Sequence, residues 1–143
     1  MRTISKNTLL TRSLKISISA LLLLLIFAFV PQEDEWKAPG SALKKKNPVE
    51  ANESSLIAGK KLYTKECFSC HGRKGRGDGP NSATLDKIPG DLTSSKVQDQ
   101  TDGELFWKIT QGKKPMPSTK LTLTNNQRWE VVNYIRTLKK KKK

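Results

Sequence analysis

Apolar residues are distributed along this chain in two ways. Between Ile16 and Val30 they form a charge-free run, ISISALLLLLIFAFV, whose consecutive leucines leave no polar face to show to water. From about residue 54 onward they recur among polar residues at helical spacing. The first helix is expected from about Ser55 to Cys67, with Ser54 or Ser55 as its cap. Leu56, Gly59, Tyr63 and Cys67 then fall on one side of it. The second begins at Thr101, where Glu104 stands three residues on as in a capping box, and ends at the glycine Gly112. The third begins at Thr124, with Gln127 in the same relation. It carries Val131, Ile135 and Leu138 on one stripe, widened by Trp129 and Tyr134.

Between the first two helices runs HGRKGRGDGPNSATLDKIPGDLTSSK, rich in Gly, Pro, Asp and Ser. A loop of that length in a small domain points to function or to a scaffold the sequence does not show. No strand pattern of any strength is visible, so the fold class is all-α: about three main helices and long loops.

The N-terminal run changes the picture of the whole. Arg2, Lys6, Arg12 and Lys15 precede it with no acid among them, and a basic start before an apolar run reads as an export signal. Its length is at the top of the range for a cleaved signal and just short of a comfortable membrane span. Ala28-Phe29-Val30-Pro31 offers bulk where cleavage needs small side chains, so residues 1–30 are expected to stay as a membrane anchor; the alternative is a cleaved signal that leaves a soluble periplasmic protein. The basic residues before the span keep the N-terminus in the cytoplasm, and the rest of the chain lies across the cytoplasmic membrane. Residues 31–53, with Pro31, Pro39, Pro48 and a charge run, read as a linker. Residues 54–138 form the compact domain, and 139–143 a basic tail.

Net charge is +14, and setting aside the four basic residues before the span leaves +10 for residues 31–143. Such a surface suits acidic proteins or lipid head groups. Nucleic acid is excluded as a partner by the location and by the lack of any recognition motif. The domain's own core is thin: three short helices bury little apolar surface, so something else is expected to fill the middle.

CFSCH, residues 67–71, holds both cysteines and the only histidine. A Cys67–Cys70 disulfide would close a very small loop and constrain almost nothing. A thioredoxin-like dithiol needs a preceding strand, and a structural zinc site needs four ligands. CxxC followed directly by His is the signature of covalent haem attachment. Two thiols three residues apart can bond the vinyl groups on one porphyrin edge, and the next residue lies under the ring with its imidazole toward iron. For a sixth ligand, Met116 is the one methionine besides the initiator. It stands between Pro115 and Pro117 in GKKPMPS, and those rings favour an extended loop that would hold a sulfur still. The alternative is a methionine filling a gap in the core.

AGKKLYTKECFSCHGRKGRGDGP, TDGELFWKITQGKKPMPS and RWEVVNYIRTL together resemble small bacterial cytochromes c with one haem, over nearly all of residues 54–138. The resemblance implies the class I cytochrome c fold, in which the first and last helices cross and the haem fills the centre. It assigns Cys67 and Cys70 to the thioether bonds, His71 to the proximal position and Met116 to the distal one. Gly59 and Tyr63 look like the first-helix contact points, meeting Tyr134 or Trp129 on the last helix. Pro80, in GDGPN, resembles the proline whose carbonyl orients the proximal imidazole, with Pro89 as its competitor. Trp107 is set either facing a haem propionate or in plain core.

Methionine opposite histidine raises the reduction potential and fills both axial positions. The expectation is therefore a membrane-tethered carrier of one electron at a time in a respiratory chain, not an enzyme, with one haem c and no small-molecule substrate. Arg73, Lys74 and Arg76 follow the histidine, while Lys113 and Lys114 precede the methionine. This basic rim is expected to steer docking onto acidic redox partners. Two alternatives stand beside this reading: a haem enzyme or gas sensor with a labile Met116, and a fixed electron-transfer subunit of a larger oxidase or reductase.

Overall fold

A computed structural model describes residues 36–140. The apolar run from Ile16 to Val30, and with it the expected anchor, lies outside the described residues, as do the last three lysines. Among the described residues no helix is long and apolar enough to cross a membrane.

The chain from Lys37 onward forms one compact unit. In order it contains α1 (Gly40–Leu43), α2 (Glu53–Glu66), α3 (Phe68–His71), a 3-10 turn (Ser82–Thr84), α4 (Ser95–Gln98), α5 (Asp102–Gln111) and α6 (Asn125–Thr137). Among the described residues the only β pairing is an isolated bridge between Lys113 and Met116.

Local chemistry accounts for the three long helices. Thr124 accepts from the Gln127 N–H while the Gln127 side chain accepts from the Thr124 N–H, a complete capping box that starts α6 where the sequence places it. Thr101 caps α5 by accepting from the Glu104 N–H at 3.1 Å, but only half of the expected box forms. The Glu104 carboxylate turns instead to Lys108, one helical turn on, at 3.3 Å. α2 starts earlier than Ser54 or Ser55 because Asn52 is its cap, and Ser55 serves as the reciprocal partner.

α2 and α6 cross in direct contact, and Gly59 makes the crossing possible. A Cβ at Gly59 would collide with the Glu130 carbonyl and stand 3.1 Å from the Tyr134 Cβ. One turn on, the Tyr63 and Tyr134 rings lie 5.1 Å apart, tilted by 55°. Tyr134 is thus the helix-crossing partner of the first helix. Trp129 faces the other way and stacks on Phe106 of α5 at 4.0 Å. The core comprises Tyr63 with Leu105, Phe106, Ile109, Leu123, Trp129, Val131, Val132 and Ile135. Gly59→Ala is expected to force the two helices apart and to cost about 1–3 kcal/mol, a drop of several degrees in thermal midpoint measured by far-UV circular dichroism.

From Gly40 the stretch expected to be a linker is docked on the domain. Ala42 is buried, and its carbonyl lies where a side chain at Gly103 of α5 would go. Asn133, buried on α6, donates to the carbonyl of Val49 (3.1 Å) and accepts from the Asn47 amide (2.7 Å). Apolar residues are scarce here, which is why the stretch reads as linker. Backbone carbonyls claimed by one buried asparagine hold it instead.

Candidate haem-binding site

α2 ends at Cys67, and the single turn of α3 carries Phe68 through His71. The loop beyond folds back to satisfy this turn's backbone. Gly77 N–H donates to the His71 carbonyl (2.9 Å), Gly79 N–H to Cys70 (3.1 Å) and Asn81 N–H to Ser69 (2.8 Å). From α2, the buried Tyr63 hydroxyl donates to the Gly72 carbonyl at 2.7 Å. The loop that looked structureless is therefore the scaffold of the CFSCH turn.

The two cysteines are unpaired and half-buried. Burial pushes the Cys67 thiol up to about 12, with the Glu66 carboxylate and Cys70 adding to it. It stays a neutral thiol, unlike the low-pKa thiolate of a dithiol redox site. His71 Nδ1 lies 3.2 Å from the carbonyl of Gly90. A carbonyl can only accept, so Nδ1 carries the proton and Nε2 keeps its lone pair. Burial pulls the imidazole below its ordinary value and so favours the neutral ring, against the opposing, smaller pull of the Gly90 bond.

The carbonyl that receives the His71 Nδ1 proton is thus that of Gly90, and not that of Pro80, which is exposed. Gly90 is held from both sides. Gly77, at φ +78°, lets its backbone approach the Pro89 carbonyl where a side chain would collide. After Gly90, Leu92 N–H donates to Gly75 at 2.7 Å. Asp91 Oδ1 accepts from the backbone N–H (2.8 Å) and hydroxyl (2.6 Å) of Thr93, and Oδ2 pairs with Lys140 at 3.1 Å. Sequence reading missed this turn, although Asp91 two residues before Thr93 is the pattern of an Asx turn.

The Thr93 hydroxyl, and then its N–H and Lys140, hold the Asp91 carboxyl below its ordinary value. A carboxylate lowered in the folded state contributes stability above its unfolded value and loses it as pH falls through the folded one. Asp91→Asn is therefore expected to lower the thermal midpoint at neutral pH, and the gap to close as pH falls below the ordinary carboxylate range, in parallel melts across pH.

Met116 closes a turn rather than lying in an extended loop: its N–H donates to the Lys113 carbonyl at 2.9 Å. Between two prolines the sequence suggests extension, but Lys114 and Pro115 form the turn, joined by a cis peptide bond as in a type VI turn. The methionine is half-buried among exposed neighbours, and it packs against the same core cluster as Cys67, Phe68 and Leu92. Trp107 is half-buried, next in sequence to the buried Phe106. Arg73, Lys74, Arg76, Lys113 and Lys114 are all exposed, and the Arg73 guanidinium lies 5.5 Å from the Phe68 ring centroid.

These residues fit a covalently held haem. The pentapeptide offers two free thiols and an imidazole whose Nδ1 is already engaged. Its backbone is fixed by the loop, and a thioether packs on the core that Cys67 also borders. Comparison with known proteins agrees. The profile of the family described as Cytochrome c matches residues 56–139. A chain in a solved structure of the "Kuenenia stuttgartiensis reducing HAO-like protein complex Kustc0457/Kustc0458" is 31% identical, with a TM-score of 0.59 over 65% of this chain. The match covers 47% of that chain, so the present one spans about half its length. The structure of "KustC0563 c-type cytochrome" is 26% identical, with a TM-score of 0.51, over 57% of this chain and 98% of that one. No curated protein gave a significant match. With the profile spanning more than half of its length over an all-α fold, the chain belongs to the cytochrome c family, whose cofactor is covalently bound c-type haem and whose work is electron transfer.

Proposed function

We propose that the chain carries one electron at a time between redox partners of a respiratory chain through a single haem. The observation that carries this reading is that Met116, the one thioether in the domain, packs on the same core cluster as Cys67 of the CFSCH turn. Bound haem supplies the one-electron iron couple. Cys67 and Cys70 each give a thiol to a thioether bond, and His71 gives Nε2 to iron while Gly90 keeps its ring oriented through Nδ1. Met116 would be the second protein ligand to iron, and a thioether there raises the potential. With both ligands supplied by the chain, it would offer no open coordination site for catalysis and take no small-molecule substrate.

Residues 1–30 tether the protein to the bacterial cytoplasmic membrane, with the haem domain in the periplasm. The exposed cations at Arg73, Lys74, Arg76, Lys113 and Lys114 steer an acidic partner to the haem edge. The test is stopped-flow electron exchange of the reduced protein with an acidic and a basic one-electron acceptor protein. The rate with the acidic acceptor should fall steeply between low and physiological salt, and Lys113→Glu with Lys114→Glu should lower it further. Equal rates with both acceptors at all salt concentrations would contradict acidic docking. A second reading, a fixed electron-transfer subunit, draws support from the structural relative's place in a protein complex. Co-purification with a multisubunit assembly would decide for it.

A further inference from the structure

Arg128, in the first turn of α6, is only 5% exposed. A guanidinium is costly to bury and is kept so where its donors have definite work. Nη1 donates to the carbonyl of Thr119 at 3.1 Å, Nη2 donates to Asn125 Oδ1, and the group lies 5.3 Å from the Phe106 ring centroid. Nε is buried with no hydrogen-bond partner. Full satisfaction of its donors therefore does not explain the burial, and attention falls on what Thr119 does.

Thr119 ends the loop that carries Met116. Its N–H and hydroxyl both donate to the Ile109 carbonyl of α5, at 3.3 and 2.8 Å, and the Ser118 hydroxyl donates to the Thr110 carbonyl at 2.7 Å. Between Lys113 and Ser118 every residue except Met116 is exposed. A segment with so little buried surface draws its rigidity from its ends. At the near end, α5 closes with the Gly112 N–H on the Lys108 carbonyl. At the far end, Arg128 reaches across from α6 and joins that helix to the point where the loop meets α5.

We propose that Arg128 is a positioning residue for Met116: its guanidinium clamps the end of the 112–119 loop to α6 and so holds the thioether in place for iron. The proposal rests on the reading of Met116 as distal ligand. A merely structural arginine would loosen the whole domain at once, whereas a clamp frees the loop before the helices. Asn133 supplies the control. It is buried on the same helix and bonds Asn47, Val49, Glu50 and Ser55, with none of these in the loop.

The experiment heats the oxidised full-length holoprotein while recording the methionine–iron charge-transfer band and far-UV circular dichroism together. In the wild type and in Asn133→Ala, the band and the helices should be lost at one temperature. In Arg128→Ala the band should disappear about 5 °C or more before the helices, and the reduction potential at 25 °C should fall. Arg128→Lys, which keeps the charge and one donor, should lie between. Asn125→Ala, at an exposed position, should shift the band in the same direction by less. If Arg128→Ala does not fold, Arg128→Lys is judged by the same criterion. Coincident loss of band and helices in the Arg128 variants, as in Asn133→Ala, overturns the clamp and leaves the ligand standing. A wild type without the band removes Met116 as ligand, and the clamp with it.

Discussion

Replacing Cys67 and Cys70 together by serine is expected to give a chain that holds no haem through denaturing electrophoresis and shows no cooperative thermal unfolding. The first result follows from chemistry, because a serine hydroxyl forms no thioether and the only two thiols are gone. The second follows from packing. Beside the buried residues of α2, α5 and α6 and Leu123, as many apolar side chains, Leu62, Phe68, Leu92 and Met116 among them, are only partly buried. They border the core without completing it, and a small domain with so little to bury needs a bound group to reach ordinary stability. Cys67→Ser alone or Cys70→Ser alone leaves one bond and is expected to keep the haem in reduced yield. Haem staining after electrophoresis, with circular dichroism of the same preparation, checks both halves. Retention of stain by the double variant would mean attachment elsewhere.

Met116→His is the second large effect. It should remove the methionine–iron band, leave the iron six-coordinate and lower the reduction potential by roughly 0.2 V, part of the ~0.8 V range that axial ligands span. Met116→Ala removes the ligand without a replacement, so the reduced protein should bind carbon monoxide. Global stability should change little by comparison, since the side chain is half-buried and its neighbours Lys114, Pro115 and Pro117 are exposed. Spectroelectrochemistry of the two variants beside the wild type separates the outcomes. A potential that does not move in Met116→His would show that the sulfur is not on the iron.

What the sequence revealed of this molecule was what adjacent residues decide. CFSCH carries its chemistry within five positions, and Thr124 with Gln127 forms its capping box within four. Gly59 and Tyr63 were legible as a helix-crossing pair, though not that Tyr134, rather than Trp129, would meet them. Contacts between distant segments were not legible. The carbonyl that orients the His71 ring was expected at Pro80, with Pro89 as its competitor, because GDGPN resembles the family's pattern. It comes from Gly90, 19 residues from His71, because the Asp91–Thr93 turn and the approach at Gly77 bring it there. Residues 31–53 read as a linker for their prolines, charge run and few apolar side chains, yet near Val49 the stretch is held by a polar side chain on α6. Nothing in the sequence around Arg128 marks it, and its burial emerges only from the fold.

The central claim is a haem iron closed on both sides by His71 and Met116. It is tested most directly by the optical spectrum of the purified protein, oxidised, reduced, and reduced under carbon monoxide. The oxidised form should show a methionine–iron band, and the reduced form should not change when carbon monoxide is added. A missing band together with a clear carbon monoxide shift would contradict it, leaving an iron open to ligands and a protein built for binding or catalysis instead of electron carriage.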